Sequence, residues 1–232
     1  MSELFRTILI KPLFNALVGI YNVVPGHDFG IAIIILTLLI KFIFVPLTIK
    51  SLRSQKAITK IQPKIKELQD KHKNDKQAAA QATMALYKEH NVNPLSGCLP
   101  ILIQLPVIIA LYQVFLAAFK SDNLQLLYGF VHNPGVINKI AFGFLDLASK
   151  SPVLAIAAGV FQFIQAKKSF ASQQTAPGEP ISPALAMSKQ MMYFFPVMIV
   201  FITWSLPAGL ALYWVTTTLF SIGEQWYINR NK

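Results

Sequence analysis

Apolar residues come in long runs in this chain, and polar residues collect in the stretches between them. Five runs are long enough to cross a bilayer as helices, at about 30–49, 99–119, 151–168, 190–206 and 208–227. At ~1.5 Å per residue each spans roughly 25–30 Å, the thickness of a hydrocarbon core. Pro100, Pro106 and Pro196 fall inside these runs. Spanning helices tolerate proline where neighbouring helices or water take up the freed carbonyls. Pro207 and Gly209, in "SLPAGLAL", predict a tight turn, so the fourth and fifth spans form an antiparallel hairpin.

Between the first two spans the pattern changes. In segment 50–98, Leu52, Ile58, Ile61, Ile65 and Leu68 recur at helical intervals, and so do Ala78, Ala82, Ala85 and Leu86. Two helical arms are expected, broken at Asn74–Asp75 and ended by Asn91–Pro94. Residues 4–24, "LFRTILIKPLFNALVGIYNVV", carry Arg6, Lys11 and Pro12 within an apolar stretch. A signal sequence and a sixth span are alternatives, but an amphipathic helix lying on the outer surface fits best.

Composition fixes the solvent. Of the 232 residues 54% are hydrophobic and 13% charged, where soluble domains carry about 25% charge. The expected fold is therefore an all-α polytopic membrane protein. It has a five-helix bundle, a helical hairpin at 50–98 and an N-terminal amphipathic segment at 1–29. The net charge of +11 is read as membrane topology before it is read as nucleic-acid binding. Segments 50–98, 169–189 and 228–232, with the end of the third span, hold fifteen of the 21 basic residues, against five in the stretches on the opposite side. The positive-inside rule puts the first group in the cytoplasm, with the N-terminus outside and the C-terminus inside. The loop at 120–150 is then extracytoplasmic. The basic hairpin is either a solvated face or a docking surface for anionic headgroups, a ribosome or another protein. The single cysteine, Cys98, excludes an internal disulfide and reads as a small residue at a helix start.

Lys41 lies just past the middle of the first span, where a charge costs roughly 2.5–3.5 kcal/mol on insertion scales. Thr37 shares its face one turn earlier. Gln104, Gln113, Gln162, Gln165, Thr203, Tyr213, Trp214, Thr216, Thr217, Thr218 and Glu224 are further polar groups within the spans. Asp28 and Asp146 flank outer helix ends and Glu224 lies near the inner end of the fifth span, so Lys41 is expected to lack a carboxylate partner at its depth. Two readings remain. Either Lys41 snorkels inward along its stem, or a hydrated cavity keeps it charged and free to meet an acidic group from another molecule.

Met191, Met192 and Phe195 belong to a cluster at the cytoplasmic start of the fourth span. They read as lipid-facing bulk or as an adaptable greasy surface for varied apolar partners. His27, His72, His90 and His132 are scattered without metal-ligand spacing, and the acidic residues form no acid–base pair. A covalent reaction is not expected, and no cofactor or metal is called for.

The stretches "TLLIKFIFVPLTIKSLRSQKAITKIQPKIKELQ", "MALYKEHNVNPLSGCLPILIQLPVIIALYQVF", "FLDLA" and "MMYFFPVMIVFITWSLPAGLALYWVTTTLFSIGEQ" resemble, in order and spacing, the YidC-type membrane protein insertases of the YidC/Oxa/Alb family. The resemblance runs from about residue 30 to 228. It implies five core helices around a hydrophilic groove open to the cytoplasm and to lipid. In it, a cation on the first core helix attracts acidic residues of the substrate's outer segment. Lys41 matches that cation and Thr37 the polar position one turn away. Trp214, in "LYW" beside Tyr213, matches the substrate-contacting aromatic, and Gln162 or Gln165 would supply the third-helix amide. Met191, Met192 and Phe195 would lie on the lipid-facing surface along which a substrate slides.

The resemblance implies insertion and folding of membrane proteins in the bacterial plasma membrane. Nascent membrane proteins are its implied partners, with membrane lipids around them. The ribosome and the Sec translocon are further candidates, and nucleic acid enters only through the ribosome. The alternative is a small solute transporter or channel. Two features depart from the pattern. Lys41 stands where the family most often has arginine, a point charge in place of a fork. The tail after Glu224 is short and no large extracytoplasmic domain is seen, as in a small bacterial member.

Overall fold

The computed structural model describes residues 3–93, 99–119, 126–171 and 183–230 of the chain. The described part is helical almost throughout. A short helix α1 (Glu3–Phe5), a π-helical stretch (Arg6–Ile10) and α2 (Lys11–Val23) run on as one rod. They are followed by α3 (Phe29–Lys71), α4 (Lys76–Glu89), α5 (Leu99–Ala118), α6 (Pro152–Ala171), α7 (Pro183–Ser205) and α8 (Ala208–Arg230). The predicted helix start at Cys98 and most of the predicted loop 169–189 lie outside the described residues.

The first predicted span and the first arm of the hairpin are one continuous helix of 43 residues, α3. No break falls near residue 50, although Pro46 and Pro63 both lie inside the helix; the composition changes while the backbone continues. Asp28 starts it, accepting from the backbone N–H of Gly30 (2.8 Å) and Ile31 (3.1 Å) with one carboxylate oxygen. The predicted break at Asn74–Asp75 coincides with the start of α4, where Asp75 caps Gln77 and Ala78 in the same way. The two arms meet through Ile61, Ile65 and Leu86, with Leu68 and Tyr87 beside them. The predicted turn at Pro207 joins α7 to α8.

By length and composition, Glu3–Val23 and Phe29–Lys71 both contain windows apolar enough to cross a membrane. The first is nonetheless one-sided. Phe14, Leu17, Val18 and Tyr21, at i, i+3, i+4 and i+7, are buried against α3 and α5 while Leu4, Ile8 and Val23 are exposed. The same core takes in Phe29, Ile33 and Leu36 of α3, Leu111, Val114 and Phe115 of α5, and Leu210 and Tyr213 of α8.

A smaller cluster joins α6, α7 and α8 through Ala158, Ile199 and Val215. Where helices meet on small residues their backbones can approach closely. Gly159 shows this. A Cβ there would overlap Val200 Cγ2 and sit 3.3 Å from the Pro196 carbonyl oxygen, so α6 and α7 approach where the side chain is absent.

The stretch from 126 to 149 departs from an all-helical fold by a two-stranded ladder, β1 (Ile140–Ala141) with β2 (Leu145–Asp146), turning at Phe142 and Gly143. Both turn residues have positive φ, 55° and 79°, as tight hairpins demand. Phe142 is held in this unfavourable region by its N–H, which donates to the second Asp28 oxygen (2.5 Å). This stretch is also pinned to α2. Buried Asn15 bonds the Leu126 carbonyl and the Tyr128 N–H, and the Tyr21 hydroxyl accepts from Asn138 N–H.

"FLDLA" has a structural purpose here. Asp146 accepts from Ala148 N–H and Ser149 Oγ, fixing a bend. The Leu147 and Ser149 carbonyls then accept from Gly209 N–H (3.0 Å) and Ala208 N–H (2.8 Å), donors that the first turn of α8 cannot pair internally. The stretch thus sets where α8, and every polar side chain on it, begins.

Candidate functional site

Along α8, Trp214, Thr217, Ser221 and Glu224 recur at intervals of three and four residues, making a polar stripe on an otherwise apolar helix. Along α3, Lys41, Thr48 and Ser51 fall on one side. The two helices pack together, and the stripes meet at Lys41. Its ammonium donates to Ser221 Oγ at 2.9 Å and lies 3.2 Å from Glu224 Oε2. The Phe220 ring centroid is 5.4 Å away.

This corrects the expectation that Lys41 has no carboxylate near its depth. Counted from their N-terminal ends, Lys41 is about 18 Å along α3 and Glu224 about 24 Å along α8. The flexible lysine stem covers the difference by leaning inward. Both side chains are largely buried, at 13% and 7% exposed. The contact is Coulombic more than a well-aligned hydrogen bond, since neither Glu224 oxygen takes a hydrogen bond in good geometry among the described residues.

On its other side Lys41 lines a concavity of about 40 Å³ between α3 and α5. Thr48, Ser51 and Gln104 are its other polar walls, and Ile40, Phe44, Leu47, Ile103 and Val107 its apolar ones. Gln104 donates in turn to the buried Tyr213 hydroxyl. Tyr213 is therefore reached from the concavity through one amide.

The remaining predicted site residues are distributed differently. Thr37 is buried, its hydroxyl donates to the Ile33 carbonyl of its own helix (2.6 Å), and it does not line the concavity. Trp214 does not line the concavity described for Lys41. Its indole N–H donates to Gln162 Oε1 (3.1 Å), and Gln162 Nε2 donates to Gln165 Oε1 (3.2 Å), a second polar chain between α8 and α6.

Met192 is not lipid-facing but buried against Phe170, with Phe163 and Ala166 beside it. The α7 face that packs on α6 runs through Met192, Pro196, Ile199 and Thr203. Phe195 is half-buried beside that face, against the Ala158 cluster. Met191 does face outward, in a row with Phe194, Val197 and Phe201.

Sequence reasoning missed Ser221 altogether and Glu224 as a partner. The signal was present as the spacing 214, 217, 221, 224, which puts four polar or amphipathic side chains on one face of a long and mostly apolar helix.

The family model for the 60Kd inner membrane protein matches residues 19–232. The chain belongs to that family. Among curated relatives, the membrane protein insertases YidC of Francisella tularensis subsp. novicida (strain U112) and of subsp. holarctica (strain LVS) are each 41% identical over 206 residues. That stretch is 88% of this chain and 33% of each relative, so the chain spans about one third of the length of the curated relatives it matches. Among solved structures, an active YidC insertase crystallised with its first transmembrane domain resolved superposes with a TM-score of 0.62 at 25% identity. The match covers 87% of this chain and 42% of that one. The fold is thus that of a YidC-type insertase.

Proposed function

We propose that the chain inserts membrane proteins into the bacterial plasma membrane and helps them fold, without catalysing a covalent reaction. One observation carries the reading. In a chain of this family, a lysine set in a helix long and apolar enough to span a membrane lines a concavity with Thr48, Ser51 and Gln104. In this reading α3 up to about residue 49, α5, α6, α7 and α8 form the five-helix transmembrane bundle. The rest of α3 with α4 is the cytoplasmic hairpin, and α2 lies along the outer surface. The hydrophilic groove opens to cytoplasm and lipid along the α3–α5 face. The pinned stretch 126–149 closes the outer end.

Moving a polar segment through lipid costs several kcal/mol per unsatisfied group. A wet, polar-walled recess reaching to Lys41 shortens the dry distance. Its ammonium attracts a carboxylate in the substrate's outer tail, while the substrate's apolar helix leaves along exposed Leu39, Phe42 and Ile43 of α3 or the Met191 row of α7. Transfer of that helix into lipid drives the step, so no nucleotide is needed. Nascent chains are the substrates, delivered by a ribosome or beside the Sec translocon. Trp214, held by Gln162, would contact the substrate on the α6 side.

The test is insertion of a single-span substrate with acidic or neutral outer tail. Lys41→Ala should lower insertion of the acidic one roughly tenfold and spare the neutral one, and Lys41→Arg should restore it, since guanidinium keeps the charge. Equal insertion of the acidic substrate by the alanine variant would remove the electrostatic part of this account.

A further inference from the structure

Glu224 is a buried carboxylate that the insertion scheme above leaves without a task. It sits on the third turn of the polar stripe of α8, with Ser221 one turn before it, and reaches the same ammonium that the scheme assigns to the substrate. One of its oxygens, Oε2, lies at ion-pair distance from Lys41, and Oε1 is buried without a hydrogen-bond partner among the described residues. A carboxylate so placed is the same chemical group, facing the same cation, as the acidic side chain of a substrate tail.

We propose that Glu224 is the resident counterion of Lys41 and a specificity-determining residue for insertion, which an incoming acidic side chain must displace. The inference rests on the insertion reading and deepens it. Idle, the pair gives the Lys41 ammonium a counterion in the absence of a substrate. Loaded, an aspartate or glutamate of the substrate exchanges one carboxylate for another, so little electrostatic energy is lost. A neutral side chain cannot make that exchange and leaves the Lys41–Glu224 pair in place. Selection is therefore competitive. Glu224 lowers occupancy by acidic tails to a level at which they also leave. Ser221, bonded to the ammonium from the same helix face, holds the lysine head where either carboxylate can reach it. Lysine suits this exchange better than arginine, because a point charge does not lock one carboxylate in a bidentate fork.

The experiment uses the full chain reconstituted in vesicles and two single-span substrates that differ by two aspartates or two asparagines in the outer tail. The quantity read is the ratio of acidic to neutral insertion within one preparation, so a loss of folded protein cancels. Glu224→Gln should raise that ratio by about three- to tenfold, the scale of a partly buried ion pair. Glu224→Asp should leave it near the parent value, and Lys41→Ala combined with Glu224→Gln should fall to the ratio of Lys41→Ala alone. If Glu224→Gln leaves the ratio unchanged or lowers it while Lys41→Ala still lowers it, the counterion role is wrong and the groove reading stands. If Lys41→Ala does not lower the ratio, the groove charge itself is wrong and the role of Glu224 falls with it.

Discussion

The ion pair between α3 and α8 makes a quantitative claim that can be tested without any substrate. At 3.2 Å and an effective dielectric constant of about 20, two unit charges attract by about 5 kcal/mol. Withdrawing both groups from water offsets much of this. The pair as a whole then contributes little net stability, but its halves depend on each other. Lys41→Met leaves a buried carboxylate alone and should cost about 3 kcal/mol. Glu224→Gln leaves an ammonium that keeps Ser221 and can lean toward water along its stem, so it should cost about 1–2 kcal/mol. The double variant removes both charges and should cost no more than either single change. The coupling energy is then about 3 kcal/mol or more, against a few tenths for residues that do not interact. Reversible unfolding in mixed detergent micelles, followed by circular dichroism, measures all four corners of the cycle. Additive costs, with a coupling below about 0.5 kcal/mol, would refute the pairing.

Two further expectations concern the scaffold. Gly159→Leu inserts a side chain where even a Cβ overlaps Val200, so α6 and α7 must separate. A destabilisation of about 2–3 kcal/mol should appear in the same unfolding assay, while Gly19→Leu, with open space around its Cβ position, should be near neutral. Asp146, in the stretch 126–149, has its carboxyl held below the usual carboxylate range by the Ser149 hydroxyl and then by the Ala148 N–H. Its contribution is therefore complete above the unfolded value of about 3.9 and is lost as pH falls through the lower folded value. The protection factor of the Ala148 amide, the intrinsic exchange rate divided by the observed rate at the same pH, should fall below about pH 4, and Asp146→Ala should abolish that pH step.

How much of this was legible in the chain differs from element to element. The Asp75 cap after Asn74 and the turn at Pro207 are local signals, and each falls at an element boundary; the apolar runs fall within helices, but the first ends in the middle of α3 and the fourth begins well after α7 has started. The continuity of α3 through residue 50 was hidden because a change from apolar to basic composition looks like a boundary, while the helix runs on through it and through Pro46.

Lys41 stood out as a charge in an apolar helix, but its partner lies 183 positions away on a helix whose depth had to be judged separately. Treating each charge at the depth of its own Cα separated two groups that the lysine stem brings together. Met192 was misplaced because α7 is apolar on every side, so periodicity cannot say which face meets α6. The bonds from "FLDLA" to the start of α8 are made by backbone carbonyls, which leave no side-chain signature to read.

The claim at the centre of the account is that a translocating chain enters the recess beside Lys41. Stalled nascent chains of a single-span protein, offered to variants carrying a photo-crosslinker, test it most directly. Crosslinks at Thr48 and Gln104, which wall the recess, are predicted to exceed those at Ile109, which is exposed on the same helix as Gln104. Crosslinking at Ile109 with none at Thr48 or Gln104 would show that substrates travel along the outside of the bundle, and would contradict the account.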